Sequence, residues 1–93
     1  MHIISKRTLR EFAAVHPQAW LPLMQWHTVM QHCHAQSFAE LKATFGAADW
    51  VNGLVVFDIG GNKYRLVVDV EFRVQQAYVK HVFTHKEYDK WKP

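Results

Sequence analysis

The fold turns on residues 54–84, LVVFDIGGNKYRLVVDVEFRVQQAYVKHVFT. Three runs rich in β-branched and aromatic residues, 54–59, 63–72 and 77–84, are separated by the turn-like GGN and RVQQ, which predicts an antiparallel meander. A two-residue hairpin loop falls at Gly60-Gly61 or at Gly61-Asn62. The two choices differ in register by two, so the faces are the same in both. Phe57 and Ile59 share a face with Tyr64, Leu66, Val68, Val70 and Phe72, while Lys63, Arg65, Val67, Asp69 and Glu71 point the other way beside Asp58. An even-length loop within RVQQ sets Val70 opposite Val79, Val68 opposite His81 and Leu66 opposite Phe83. On the second face it sets Asp69 opposite Lys80, Val67 opposite Val82 and Arg65 opposite Thr84. The first face is apolar and must carry helices; the second is lined by Lys63, Arg65 and Lys80.

The helices lie upstream. A short apolar start, His2 to Ile4, reads as a strand, and Ser5 suits the N-cap of a helix bearing Leu9, Phe12, Ala13 and His16 on one side. Pro17 ends that helix or begins the next. Ala19, Leu23, Trp26, Met30 and Cys33 form a second helical stripe, with Pro22 predicting a kink or a late start. In SFAE, Ser37 can accept from the Glu40 amide while Glu40 reaches back, which starts a third helix. Phe38, Leu41 and Phe45 are its apolar side, and Gly46 suits its C-terminal cap. Helices first and a meander last make the fold α+β, an antiparallel sheet with helices packed on one face.

Ninety-three residues form a single domain, 1–93. At 49% hydrophobic and 14% aromatic residues, the chain can bury a core without disulfides or metals. The one cysteine, Cys33, excludes an internal disulfide and points to a reducing, cytoplasmic setting. The charged start MHIISKRTLREF lacks a secretory apolar region. No apolar run approaches the roughly 20 residues of a membrane span. A net charge of +3 with seven histidines favours an anionic partner, nucleic acid first. The end of the chain, HKEYDKWKP from His85 to Pro93, crowds an imidazole, a phenol, an indole and three lysines where the basic sheet face ends.

VVFDIGGNKYRLVVDVEF followed by YVKHVFTHKEYDKW resembles the HigB toxins of bacterial toxin–antitoxin pairs, within the RelE-like superfamily. GNKYRLV and THKEYD carry the specificity, and the likeness extends upstream through MHIISKRTLREF and SFAELKATFGAADWV. The resemblance implies a compact antiparallel sheet on helices and an mRNA-cleaving activity usually exercised on the ribosome. It also implies a cognate HigA-type helix-turn-helix antitoxin, with no membrane involved. One departure is Asp58, where the resemblance has asparagine; its carboxylate lowers the local positive potential.

Metal-free RNA cleavage by 2′-hydroxyl attack needs a base, an acid and cations for the extra phosphorane charge. Each positioned acid or base contributes about 10²–10⁴-fold. His85 and Tyr88, one helical turn apart, can face one phosphate. Arg65 has the planar fork for two phosphate oxygens. These three are the candidate catalytic residues, and Lys63, Lys80, Lys86 and Asn62 are the candidate RNA-binding residues. Plainer readings stand beside them. Tyr88 covers the core edge, His85 is a helix-start residue, Arg65 only pairs with Asp58, and Lys80 only pairs with Asp69. His81 on the apolar face is a half-buried core histidine, and Trp91 folds back on the sheet. The cluster HTVMQHCH does not read as a metal site. His32, Cys33 and His34 fan apart by about 100° each on a helix, and His27 and His34 lie about 10 Å apart along its axis. No motif calls for a cofactor. Two function classes remain: a ribonuclease toxin, or a catalytically silent module that binds RNA, the ribosome or only the antitoxin.

Overall fold

A computed structural model describes residues 1–91; Lys92 and Pro93 at the end of the polar tail lie outside the described residues. Five strands form one sheet in the order β1-β5-β4-β3-β2, with β1 (His2–Ile4), β2 (Asp49–Val51), β3 (Leu54–Ile59), β4 (Tyr64–Glu71) and β5 (Gln76–Thr84). The helices are α1 (Lys6–Val15), α2 (Trp20–Gln31), α3 (Phe38–Thr44) and α4 (His85–Lys90). The α+β class and the one-sided packing of α1–α3 match the pattern of apolar residues. Leu9 from α1, Leu23, Trp26 and Met30 from α2 and Leu41 from α3 share one core with Phe57, Ile59, Tyr64, Leu66, Val68 and Val70. The Phe57 ring takes the edges of Trp26 and Phe45 at centroid distances of 5.3 and 5.0 Å. Leu66 has no exposed surface, so its truncation to alanine removes about 2–5 kcal/mol.

Local chemistry explains the helix boundaries. A 3₁₀ turn at Pro17–Ala19 runs straight into α2. Pro22 therefore falls in the first turn of α2, where no intrahelical N–H bond is lost and no kink is needed. Ser37 Oγ accepts from the Glu40 amide at 3.2 Å, whereas the Glu40 carboxylate accepts from the Gln36 amide, one residue further back than the motif suggested. Gly46 follows the helix without entering the left-handed region; Gly53, Gly60 and Gly61 are the glycines that do so.

Two strands go beyond the three-stranded meander. Strand β2 was not expected, yet Asn52 and Gly53, at φ 50° and 81°, form a two-residue turn that pairs Val51 with Leu54. Strand β1 runs parallel to β5 at the opposite edge. In the β3–β4 hairpin Asp58 faces Arg65 and Ile59 faces Tyr64, the register of the Gly61-Asn62 alternative.

The expected β4–β5 register is wrong, for two physical reasons. Phe72–Val74 is a 3₁₀ turn rather than strand, and Gln75 adopts φ 55°, so Glu71 faces Gln76. That moves the pairing by two and preserves the faces. A β-bulge then moves it by one: Val68 faces Val79 but Val67 faces His81, leaving Lys80 as the extra residue. Beyond the bulge the faces exchange. Leu66 faces Val82, Arg65 faces Phe83 and Tyr64 faces Thr84. Asp69 faces Tyr78 instead of Lys80. His81 leaves the apolar face and is exposed. On the face away from α1–α3, Val56 and Val67 are nevertheless buried, at 2% and 0% exposure, outside the main core.

His27 on α2 gives the fold a pH dependence. Burial lowers its pKa from the ordinary value of 6.5, and the nearby Lys6 charge lowers it further. The folded state therefore resists protonation more than the unfolded chain does. His27's contribution is fully present above pH 6.5 and is lost as acid protonates the unfolded chain first. In urea melts at pH 7.5 and 5.5, His27→Gln should lose less stability on acidification than the parent; equal losses would contradict this assignment.

Candidate active site

Arg65 projects from β4 on the face away from α1–α3, as the alternation required, while its neighbour Leu66 is buried beneath the helices. Its side chain is only 12% exposed because neighbours surround the guanidinium. Nε meets Asp58 Oδ1 at 3.1 Å across the β3–β4 pair. One terminal nitrogen donates to Asn62 Oδ1 at 2.6 Å, and the other donates to the carbonyls of Tyr64 at 3.2 Å and Asn62 at 3.4 Å. A guanidinium has five N–H donors, so most are engaged by the protein and one on the Asn62-facing nitrogen is left over. The Tyr88 ring then covers it, with the guanidinium carbon 5.7 Å from the ring centroid. The Asp58 pair exists, but it is one of several restraints.

Helix α4 carries Tyr88 and His85, and a capping box anchors its start. Thr84 Oγ1 accepts from the Glu87 amide at 3.2 Å, and Glu87 Oε1 accepts from the Thr84 amide at 2.8 Å. The His85 amide donates to the Lys63 carbonyl at 3.0 Å, which joins the helix start to the β3–β4 turn. A six-residue helix is unstable alone; these contacts set where its side chains stand. His85 Nδ1 lies 3.2 Å from Asp89 Oδ2 one turn on, which fixes the ring and leaves Nε2 on its far side. Tyr88 is half-buried, and its hydroxyl has no hydrogen-bond partner among the described residues.

The structure thus brings Arg65, His85, Tyr88, Asn62 and Lys63 together at one end of the β3–β4–β5 sheet. Lys63, Lys80 and Lys86 are exposed and, among the described residues, form no ion pair. Lys80 stands apart, at the bulge further along β5. Trp91 does fold back, with its ring 5.7 Å from those of His81 and Phe83 and 5.9 Å from that of Tyr88. Two participants were missed in the sequence, Asp89 and the Thr84–Glu87 cap. Their signals were present, as the i,i+4 spacing from His85 and the T-x-x-E pattern. His81 was assigned to the wrong face, because one extra residue in a strand leaves no sequence mark.

The histidine cluster is not all helical as expected: α2 ends at Gln31, so only His27 lies on it, and His32, Cys33 and His34 follow in the loop beyond. Cys33 is buried while His32 and His34 are exposed, and His32 Nδ1 contacts the Thr28 carbonyl at 2.9 Å. Among the described residues no three His, Cys, Asp or Glu side chains converge as metal ligands, and no helix is long and apolar enough to cross a membrane.

The chain is similar in sequence to known proteins over nearly its whole length. The mRNA interferase toxin HigB of Escherichia coli strain K12 is 34% identical over 92 residues, covering 96% of this chain and 88% of that protein. The mRNA interferase HigB of Shigella flexneri is similar to the same extent, 34% over 92 residues. That of Escherichia coli O6:H1 strain CFT073 is 33% identical over 93 residues, 97% of this chain and 90% of its own length. The HigB_toxin family model, described as the RelE-like toxic component of a toxin–antitoxin system, matches residues 19–91. The chain belongs to the HigB family of RelE-like toxins of toxin–antitoxin systems.

Proposed function

We propose that this protein is a ribonuclease toxin that cleaves mRNA, on the ribosome, by acid–base chemistry on the RNA's own 2′-hydroxyl. Family membership and the mRNA interferase relatives support the activity class. The observation that carries the chemistry is the capped α4 start, which holds an imidazole one turn from a phenol whose ring covers a restrained arginine.

His85 is the base: Asp89 orients one ring nitrogen, and the other accepts the proton of the attacking 2′-hydroxyl. Imidazoles as a class titrate near neutrality, which suits that task. Tyr88 is the acid. Its unpartnered hydroxyl gives a proton to the departing 5′-oxygen, and the guanidinium against its ring favours the developing negative charge. Arg65 acts mainly by positioning Tyr88 and Asn62, with one N–H left for a phosphate oxygen. Lys63 and Lys86 flank the phosphate, and Lys80 and the Asn62 amide guide the RNA backbone. Attack by the 2′-oxygen breaks the phosphorus–5′-oxygen bond and leaves a cyclic phosphate and a 5′-hydroxyl. A toxin of this family has an antitoxin partner; the +3 charge suits an acidic segment of a HigA-type helix-turn-helix protein.

Single-turnover cleavage of mRNA on ribosomes tests the assignments. Tyr88→Phe should slow cleavage on the order of 10²-fold or more while leaving the melting temperature and RNA affinity nearly unchanged. His85→Ala should slow it similarly and remove a limb of the pH–rate profile. Full activity in both variants would refer the chemistry to Lys63, Lys80 or Lys86. Asp58→Asn removes the carboxylate that offsets Arg65. It should tighten RNA binding and steepen the log–log salt dependence by about 0.7, the increment for one charge on a single strand. An unchanged slope would mean that Arg65 is fully withdrawn from the RNA.

A further inference from the structure

The bulge at Lys80 gives the outer face a feature that the acid–base assignment does not use. His81, Phe83 and Trp91 form a cluster beside Tyr88. The His81 and Phe83 rings are stacked, 16° from parallel at 5.1 Å, and Trp91 leans on both at 5.7 Å. Trp91 also meets Tyr88 at 5.9 Å, so the cluster runs on from the proposed acid without a break. Phe83 faces Arg65 across the strands and His81 faces Val67, whose full burial gives the rings a rigid floor. His81 itself is exposed, and its ring nitrogens have no hydrogen-bond partner among the described residues.

An exposed ring already stacked on a second, with the exposed Lys80 ammonium next in the chain, has the chemistry that takes up an unpaired nucleobase. The ring faces supply stacking, the lysine answers the phosphate, and neither demands a sequence. A core role explains Phe83 and Trp91 but not His81, which a register without the bulge would have turned inward. We propose that His81, Phe83 and Trp91 form a stacking platform for one base of single-stranded RNA, adjoining the phosphate held at His85 and Tyr88. The platform rests on the reading of this face as the RNA-cleaving site and adds to it the element that seats a flanking nucleotide.

The test uses the full chain and short single-stranded RNA at low salt, with binding read by Trp fluorescence and cleavage read separately on programmed ribosomes. RNAs carrying an abasic site at each position in turn locate the seated base. In the parent, one position should be sensitive to base removal, by about 10- to 100-fold in affinity. His81→Ala should weaken the intact RNA by a similar factor and abolish that sensitivity, while His81→Phe, which keeps the ring and loses the titratable nitrogens, should retain both. Melting temperatures should be the same for all three proteins. Unchanged binding in His81→Ala overturns the platform. So does a His81→Phe variant as impaired as His81→Ala with an altered pH–rate profile, since His81 would then act through its nitrogens. A parent that binds no single-stranded RNA overturns it as well. A parent that binds RNA with one base-sensitive position yet cuts none refutes the nuclease assignment and supports the platform.

Discussion

One extra residue in β5 governs how the two faces of this sheet are used. Above the bulge, Ala77 and Val79 point at the helices in step with Val68 and Val70. Below it the parity is reversed, so Phe83 comes out beside Arg65, and Thr84 ends opposite the buried Tyr64. That endpoint matters, because Thr84 is the N-cap of α4 and the next amide is bonded to the Lys63 carbonyl. An unbroken strand would aim Phe83 at the core and start α4 from the other side of the sheet. The bulge therefore lets one strand serve a packed interior and a polar working face in sequence, as bulges near functional sites commonly do.

Arg65 is the second fixed point. A free guanidinium beside RNA would be a mobile phosphate hook. Here Asp58, Asn62 and the Tyr64 carbonyl fix its plane, and Tyr88 rests against it. The Arg65–Asp58 pair is largely withdrawn from water, where the cost of desolvation offsets much of the Coulombic gain, so the arrangement is better understood as orientation than as structural glue. It connects the β3–β4 turn, which supplies Lys63 and Asn62, to the helix that supplies His85 and Tyr88. The acidic Asp58 restrains the arginine and also lessens the positive charge offered to a phosphate.

Alternation with period two made the helix-facing residues of β3 and β4 legible, because each inward position is large and apolar. The helices were legible from the stripes of Leu9 and Phe12 and of Leu23, Trp26 and Met30. The β4–β5 register was not, since a bulge depends on which carbonyls pair and Lys80 looks like any outward lysine. Strand β2 could have been read: Asn52-Gly53 between apolar residues is a strong hairpin signal, hidden by the brevity of its first strand. At the candidate site, spacing and resemblance singled out His85 and Tyr88, and the structure sets both on α4. Asp89 and the Thr84–Glu87 cap were readable from the same segment, whereas the restraint of Arg65 depends on its side-chain conformation and could be known only from the structure. His81 was misplaced because its face follows from the bulge.

If RNA is cut at this face through its own 2′-hydroxyl, as proposed, the new ends record it. The most direct measurement is the identity of the new ends in mRNA cut on ribosomes by the purified protein. The proposed chemistry leaves a 2′,3′-cyclic phosphate, or the 3′-phosphate formed by its hydrolysis, upstream of the cut and a 5′-hydroxyl downstream. An mRNA analogue with 2′-deoxy at the cleaved position should remain whole. A 3′-hydroxyl with a 5′-phosphate, or cleavage of the deoxy analogue, would contradict it.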